Sequence, residues 1–320
     1  MSSSKVLITG ATGFVGRAIL ERLRQEGGLT LVAAVRRWDG PALEDVSIRY
    51  IGPFSGETDW GEVVEGVSTV VHCAARVHVM SERSTDPLAA FRAVNVDATL
   101  SLARQAAAAG AKRFIFISSI KVNGEGSEAG RPYVESDAPS PADAYGLSKL
   151  EAEIGLKALA STLGLEVVII RPVLVYGPGV KANFHSMMSW LSKGVPLPLG
   201  AVRNKRSLVA LDNLVDLIVT CMKSPAAANE TFLVSDGEDV STTELLQRLG
   251  RALGKPARLF PVPAPLLRAG AALLGRQAVA DRLYGTLQVD IAKAQELLGW
   301  RPAVSLDEAL RRTANDFLSR

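Results

Sequence analysis

The stretch that decides the fold is KVLITGATGFVGRAILERLRQEG, residues 5–27. Its first five residues, KVLIT, form an apolar run that reads as a buried strand. Its last thirteen, VGRAILERLRQEG (15–27), repeat apolar positions at helical spacing and stop at Gly27. Between them, ITGATGFVG (8–16) sets Gly10, Gly13 and Gly16 in GxxGxxG spacing, after a strand and at the mouth of a helix. Gly10 permits a tight turn, Gly13 lets backbone come close to an anion, and Gly16 lets helix and strand pack closely. The helix start then offers free N–H groups, with Thr12, Phe14 and Val15 beside them, to a pyrophosphate. Strand, glycine turn and helix in this order predict a dinucleotide site.

Working outward, the same alternation continues. LTLVAAVR (29–36), TVVHCAA (69–75), RFIFISS (113–119) and EVVIIRP (166–172) read as further strands. PLAAFRAVNVDATLSLARQAAAAG (87–110) and AYGLSKLEAEIGLKALASTLG (144–164) read as helices. Val- and Ile-rich strands followed by helices predict an α/β, Rossmann-type, doubly wound parallel sheet covered on both faces. After RPVLVYGPG (171–179) the alternation fails and Pro and Gly cluster, as in GVPLPLG (194–200). The expected division is a dinucleotide-binding domain over 1–178 with 207–235 returning to it. A smaller, mostly helical lobe covers 179–206 and 236–320 and takes the substrate.

Bulk properties exclude several classes. The 320 residues carry 48% hydrophobic and 22% charged side chains, an ordinary globular balance. A net charge of +3 with no basic block argues against nucleic acid as partner. An anionic ligand must therefore be met by particular arginines. Cys73, Cys221 and the three histidines (72, 78, 185) fit no metal spacing, so no metal is expected. MSSSKVLITG lacks the h-region of a signal peptide, and no apolar run is long enough for a membrane span. The short amphipathic PAPLLRAGAALLGR (263–276) reads as a packing helix. A reducing cytoplasm is the expected setting.

The end of the second strand selects the cofactor. An acid there suits a ribose 2′-hydroxyl, whereas a basic residue suits a 2′-phosphate. This chain places Arg36 and Arg37 there, with Asp39 the nearest acid. A doubly charged phosphate gains charge-assisted hydrogen bonds from arginine, so NADP(H) is expected over NAD(H), with NAD(H) possible.

DAYGLSKLEAE (143–153) adds chemistry. Tyr145 and Lys149 lie one helical turn apart, and Lys149 and Glu153 read as an i,i+4 charge pair. With the glycine loop, VHCAA and YGLSK in this order, the chain resembles the extended short-chain dehydrogenase/reductases over nearly its whole length. RPVLVYGPG, VALDNLVDLIV (209–219) and VDIAKAQELLGWRPAVSLDEAL (289–310) are similar to stretches of that family's nucleotide-sugar epimerases, reductases and dehydratases. The resemblance implies Tyr145 as acid/base, Lys149 as its partner and Ser119 as the third member. It also implies that Ala74, Ala75, Asn95 and Lys149 border the cofactor, and that the helices at 87–110 and 144–164 make a homodimer. A free phenol has a pKa of about 10, and a neighbouring ammonium favours the phenolate. Ser119 ends a strand on the edge where open α/β sheets bind ligands, and Ser118 should point the other way.

Dehydratases of the family carry Asp-Glu after the catalytic hydroxyl. Here Ile120 and Lys121 stand instead, which disfavours sugar 4,6-dehydration. Epimerase and reductase share the triad. SSIKVNGE (118–125) is similar to bacterial enzymes acting on UDP-linked N-acetylated 6-deoxy-4-ketohexoses for surface polysaccharide, including the lipopolysaccharide O-antigen. With the arginine pair, the expected activity is 4-keto reduction of such a sugar. The alternative is UDP-hexose or UDP-N-acetylhexosamine 4-epimerisation on tightly bound NAD. An NADP-sensing regulator or scaffold is the non-enzymatic rival, disfavoured by the intact triad.

The resemblance implies Arg206 at the substrate's diphosphate, Asn183 at phosphate or hexose and VPLPLG (195–200) beside uracil; Arg282 is read as a second clamp, and Lys121, unusual for the family, as lying near the hexose or as a solvated loop lysine. Guanidinium geometry suits phosphate oxygens. Relatives often hold adenine with a Gly-Asp where this chain has Gly52-Pro53, so adenine recognition must differ or shift to Asp59. His72 and Trp300 are expected to be structural.

Overall fold

In the computed structural model, which describes residues 4–41, 43–77, 86–263, 265–266 and 283–320, the first strand, β1 (Ser4–Thr9), lies near the middle of a seven-stranded sheet. The chain leaves it through helix α1 (Phe14–Glu26) for β2 (Leu29–Val35), which pairs with β1, and then for β3 (Val46–Tyr50). It crosses back by the short α2 (Gly61–Val64) to β4 (Thr69–His72) on the other side of β1. From there it walks outward. A helical run Pro87–Ala108 (α3, 87–92; a π-turn, 93–97; α4, 98–108) leads to β5 (Arg113–Ile117). Then α5 (Ala144–Leu163) leads to β6 (Glu166–Pro172). All pairings in this sheet are parallel. The direction of winding reverses between β1 and β4, and that crevice is where such sheets bind ligands.

Both faces are buried, as a parallel sheet requires. Val6 and Ile8 enter one core with Ile19, Leu20 and Leu23 of α1, while Leu7 enters the other with Leu102 and Ala106 of α4. This follows from side chains alternating across a strand. Gly27 ends α1 with φ +70, a conformation glycine adopts freely.

The lobe has its own sheet. β7 (Leu174–Tyr176) and β8 (Arg206–Ala210) pair in parallel, and the two-residue β10 (Asp239–Val240) adds antiparallel to β8. Residues 206–210 therefore belong to this small sheet. The return to the large sheet is made by α7 (Leu211–Lys223) and β9 (Thr231–Val234), which closes the order β3-β2-β1-β4-β5-β6-β9. The sequence pattern hid this because RSLVA is as apolar as a strand of the main sheet. A third core unites α6 (Ala182–Ser192), α8 (Thr242–Ala252) and the helix Leu306–Leu318 through Phe184, Leu191, Leu246, Leu249 and Leu310.

Residues 284–290 stitch lobe to domain. Leu287 bridges Arg206, Val289 bridges Tyr133, and the Tyr133 N–H donates to the Gln288 carbonyl at 2.8 Å. Deeper in, Asp236 accepts from the Tyr176 hydroxyl (2.8 Å), the Ala210 N–H (2.7 Å) and the Asn213 amide (2.7 Å). Trp300 is core, as expected, with its indole N–H on Asp216. No described helix is long and apolar enough to cross a membrane.

Candidate active site

The glycine turn leaves no room for side chains. Gly10 has φ +66, and a Cβ there would lie 2.7 Å from the Ala74 nitrogen. A Cβ on Gly16 would lie 2.3 Å from the Gly10 carbonyl oxygen, and one on Gly13 3.1 Å from the same atom. Gly13 begins α1 without a side-chain cap, and no acid occupies the first turn. The uncapped donors around Phe14, Val15 and Gly16, with no acid in the helix's own first turn, fit a dinucleotide's phosphates.

The opposite wall is the loop Cys73–Ala75 after β4. The Ala74 N–H donates to the Thr9 hydroxyl at 3.3 Å. The same hydroxyl contacts His72 Nδ1 at 2.7 Å, and His72 Nε2 contacts the Thr99 hydroxyl at 2.9 Å. Burial, aided by the Lys149 charge, pushes the imidazole down to about 3, so His72 is a neutral spacer that fixes the width of the crevice. Asn95, implied at the cofactor, braces this wall. Its carboxamide pairs with both backbone groups of Arg76 (2.8 and 3.0 Å) and donates to the Ser148 hydroxyl at 2.9 Å. The π-turn at 93–97 carries it there.

At the end of β2, Arg36 and Arg37 are both exposed. Arg37 is paired with Asp39 at 2.7 Å, whereas Arg36 makes no ion pair or hydrogen bond to another described residue. Only Arg36 is therefore uncommitted toward a 2′-phosphate. Asp59, considered for adenine, is exposed and accepts from the Gly61 N–H at 2.9 Å.

Ser119, Tyr145 and Lys149 converge. Ser119 follows β5 and its hydroxyl accepts from the Lys121 N–H at 3.3 Å, starting the tight turn Ile120–Val122. Its hydroxyl also works to favour the ionised form of the Tyr145 phenol. Tyr145 sits in the first turn of α5 with Phe91 edge-on at 6.0 Å. Lys149, one turn on, is 2% exposed, donates to the Ile117 carbonyl at 2.8 Å and lies 4.4 Å from the centre of the Phe116 ring. Its amine is 6.0 Å from the Tyr145 ring centre. Burial pulls Lys149 down to about 8, partly offset by Cys73 and Glu153. Burial pushes Tyr145 up to about 12; Ser119 works against this and Asp143 adds to it. Within the protein alone, the desolvation of Tyr145 outweighs its neighbours.

Glu153 corrects an expectation. It does not pair with Lys149. It forms a buried ion pair with Arg171 at 2.6 Å, and accepts from Ser118 at 2.5 Å. Arg171 also donates to Asn123 at 2.9 Å. Ser118 thus points into the core while Ser119 faces the crevice, as strand alternation requires. Sequence reading missed this brace, although Tyr145, Lys149 and Glu153 share one helical face at four-residue spacing.

Among the expected substrate residues, Lys121 is tied by its amine to Asp143 and Glu125. Asn183 is exposed in the first turn of α6. Arg206 begins β8, half-buried, with a bond to the Gly285 carbonyl at 3.2 Å. Arg282 lies outside the described residues, as does His78. In VPLPLG, the N–H groups of Leu197 and Gly200 are spent on the carbonyls of Arg258 and Phe260.

The profile of the NAD dependent epimerase/dehydratase family matches residues 6–235. The chain belongs to this family. Family members differ in reaction, and the relatives show the range. The chain is 50% identical over 314 residues to a UDP-glucose 4-epimerase of Vibrio cholerae, covering 98% of this chain and 95% of that one. It is 26% identical to a GDP-6-deoxy-D-mannose reductase of Pseudomonas aeruginosa, covering 99% and 98%. The crystal structure of a UDP-N-acetylglucosamine 4-epimerase from Bacillus cereus superimposes with a TM-score of 0.78 at 21% identity, covering 99% and 96%, which shows the shared fold. As a member of this family the protein is a nicotinamide-dependent enzyme, and its relatives place it among the nucleotide-sugar epimerases and reductases.

Proposed function

We propose that this protein is a UDP-hexose or UDP-N-acetylhexosamine 4-epimerase. The observation that carries the reading is the 50% identity, along nearly the full length of both chains, to the Vibrio cholerae UDP-glucose 4-epimerase. The convergence of Ser119, Tyr145 and Lys149 beside the glycine turn supports it. Of the two reactions weighed from the sequence, reduction leaned on the pair Arg36-Arg37, and Arg37 is already bound to Asp39.

Gly10, Gly13, Gly16, Thr12, Phe14 and Val15 would hold the dinucleotide on one side of the crevice and Ala74 and Ala75 on the other. Bound there, the oxidised cofactor supplies reversible hydride transfer at the sugar's C4 and a positive charge near the phenol. Tyr145 would take the proton from the 4-hydroxyl and return it to the same oxygen once C4 has been inverted. Ser119 would hold the 4-oxygen by a hydrogen bond from its hydroxyl. Lys149 orients the nicotinamide ribose and keeps a positive charge within the site. Asn183 and Arg206 meet the diphosphate, Arg206 from the mouth of the small sheet. A homodimer forms through α4 and α5, where Ile154 is 60% exposed.

The test is incubation with UDP-glucose, UDP-galactose and their N-acetylated forms without added cofactor, followed by NMR of the anomeric protons. Interconversion at C4 is expected, and Tyr145→Phe should abolish it. Oxidation of NADPH by a UDP-4-keto-6-deoxyhexosamine, with no interconversion of any UDP-hexose, would overturn the epimerase in favour of the reductase. Arg36, exposed and uncommitted at the cofactor's ribose end, is the observation that keeps the second reading in view.

A further inference from the structure

Ser119 is held in place through its neighbours. Its hydroxyl accepts from the Lys121 N–H and its carbonyl accepts from the Val122 N–H at 3.1 Å, so it opens the turn Ile120–Val122. Buried side chains fasten both flanks of that turn. Before it, Lys149 donates to the Ile117 carbonyl at 2.8 Å, and the Ser118 hydroxyl donates to Glu153 Oε1 at 2.5 Å. After it, Asn123 ends the turn, is 1% exposed and accepts from Arg171 Nη1 at 2.9 Å. Glu153 lies on α5 one helical turn beyond Lys149 and two beyond Tyr145. The helix that carries the phenol therefore also grips the chain on either side of the Ser119 hydroxyl.

The ion pair at the centre reaches both flanks at once. Arg171 Nε and Nη2 bond the Glu153 carboxylate at 3.0 and 2.6 Å, which leaves Nη1 for Asn123 while Glu153 Oε1 also takes Ser118. The Arg171 and Glu153 side chains are 4% and 2% exposed, and a buried pair of this kind adds little stability over apolar residues of similar volume. What an apolar pair cannot do is hold Ser118 and Asn123 by short, directional, charge-assisted bonds. Successive strand residues point to opposite faces, so fixing the Ser118 side chain fixes the direction of the Ser119 hydroxyl. We propose that Glu153 and Arg171 are positioning residues, which clamp Ser118 and Asn123 so that Ser119 keeps its place opposite Tyr145. This deepens the proposed reaction and rests on Ser119 holding the sugar's 4-oxygen there. Neither residue touches the substrate; both act through the backbone that carries the serine.

The test measures kcat and KM for C4 interconversion of a UDP-hexose in Ser118→Ala, in Ser119→Ala, in the two combined, and in Glu153→Leu with Arg171→Met. Ser118→Ala keeps the ion pair and should lower kcat about tenfold with KM nearly unchanged, because a small misplacement of a reacting group costs rate. Ser119→Ala leaves Tyr145 in place, so a slow rate remains to be read. In that background Ser118→Ala should cost nothing further, since the group it positions is gone. Glu153→Leu with Arg171→Met should melt near the wild type and still lose at least as much kcat as Ser118→Ala. Losses that simply add between Ser118→Ala and Ser119→Ala would show a merely structural role and overturn the proposal. So would a full rate in the apolar double variant, or a rise in KM with kcat unchanged in Ser118→Ala. If the double variant fails to fold, the Ser118–Ser119 cycle decides alone. No interconversion by the wild type, or a wild-type rate in Ser119→Ala, overturns the reading of Ser119 and this proposal together. A slow Ser119→Ala beside an unimpaired Ser118→Ala overturns this proposal alone.

Discussion

Lys149 should weaken the cofactor-free protein at neutral pH. Its amine is 2% exposed, and burial lowers it from 10.5 to about 8. An amine depressed in the folded state binds fewer protons folded than unfolded between those two values. The penalty is therefore fully present below the folded pKa and is lost as pH rises toward the unfolded one. Two and a half units correspond to about 3 kcal/mol at pH 7, and about half of that remains at pH 9.5. Lys149→Met keeps the chain length and removes the charge. It also loses the bond to the Ile117 carbonyl, about 1 kcal/mol, and the contact with Phe116. Those losses stay nearly constant with pH, so the comparison across pH isolates the charge. Urea denaturation of both cofactor-free proteins, followed by circular dichroism at pH 7 and pH 9.5, is the assay. The stability of Lys149→Met relative to wild type should fall by about 2 kcal/mol between the two pH values. Other groups titrate in both proteins and cancel. A difference that is flat with pH, or that grows, would refute the reasoning.

Glu153→Ala should cost about 3–5 kcal/mol, read as a lower melting temperature, because Arg171 is left buried without its carboxylate. Glu153→Leu combined with Arg171→Met should recover most of that loss; failure to recover would show that the ion pair itself is required. Gly16→Ala should purify without nicotinamide, measured by absorbance after denaturation, since its Cβ would collide with the Gly10 carbonyl. Wild-type occupancy would mean that the turn can open. If NADPH is bound in preference to NADH, Arg36→Ala should weaken NADPH about tenfold or more while Arg37→Ala changes little, because only Arg37 is held by Asp39. Equal effects of the two substitutions by isothermal titration would contradict that assignment.

Much of this protein is legible from local pattern. The strand, glycine turn and helix at 5–27 fall within a residue of where the sequence places them. The same holds for β6 and for the boundaries of α5. Such signals are short-range: a buried strand must be apolar, a helix repeats every turn, and only glycine fits a backbone at φ +66 that touches Ala74. Strand alternation alone was enough to send Ser119 to the crevice and Ser118 to the core.

What lay beyond the sequence is a matter of partners far apart along the chain. Whether β8 joins the large or the small sheet depends on which edge is free, and RSLVA looks the same in either. The partner of Glu153 is Arg171, reached across the fold, while the nearer Lys149 turns to the Ile117 carbonyl. Asn95 bonds the Arg76 backbone nineteen residues back, and Lys121 closes on Asp143 twenty-two residues later. A side chain's charge and length are written in the sequence, so the presence of a phenol, an amine and a hydroxyl at one sheet edge could be read. How deeply each is desolvated and which opposite charge it meets is decided only when the chain packs, and those two quantities set Tyr145 near 12 and Lys149 near 8.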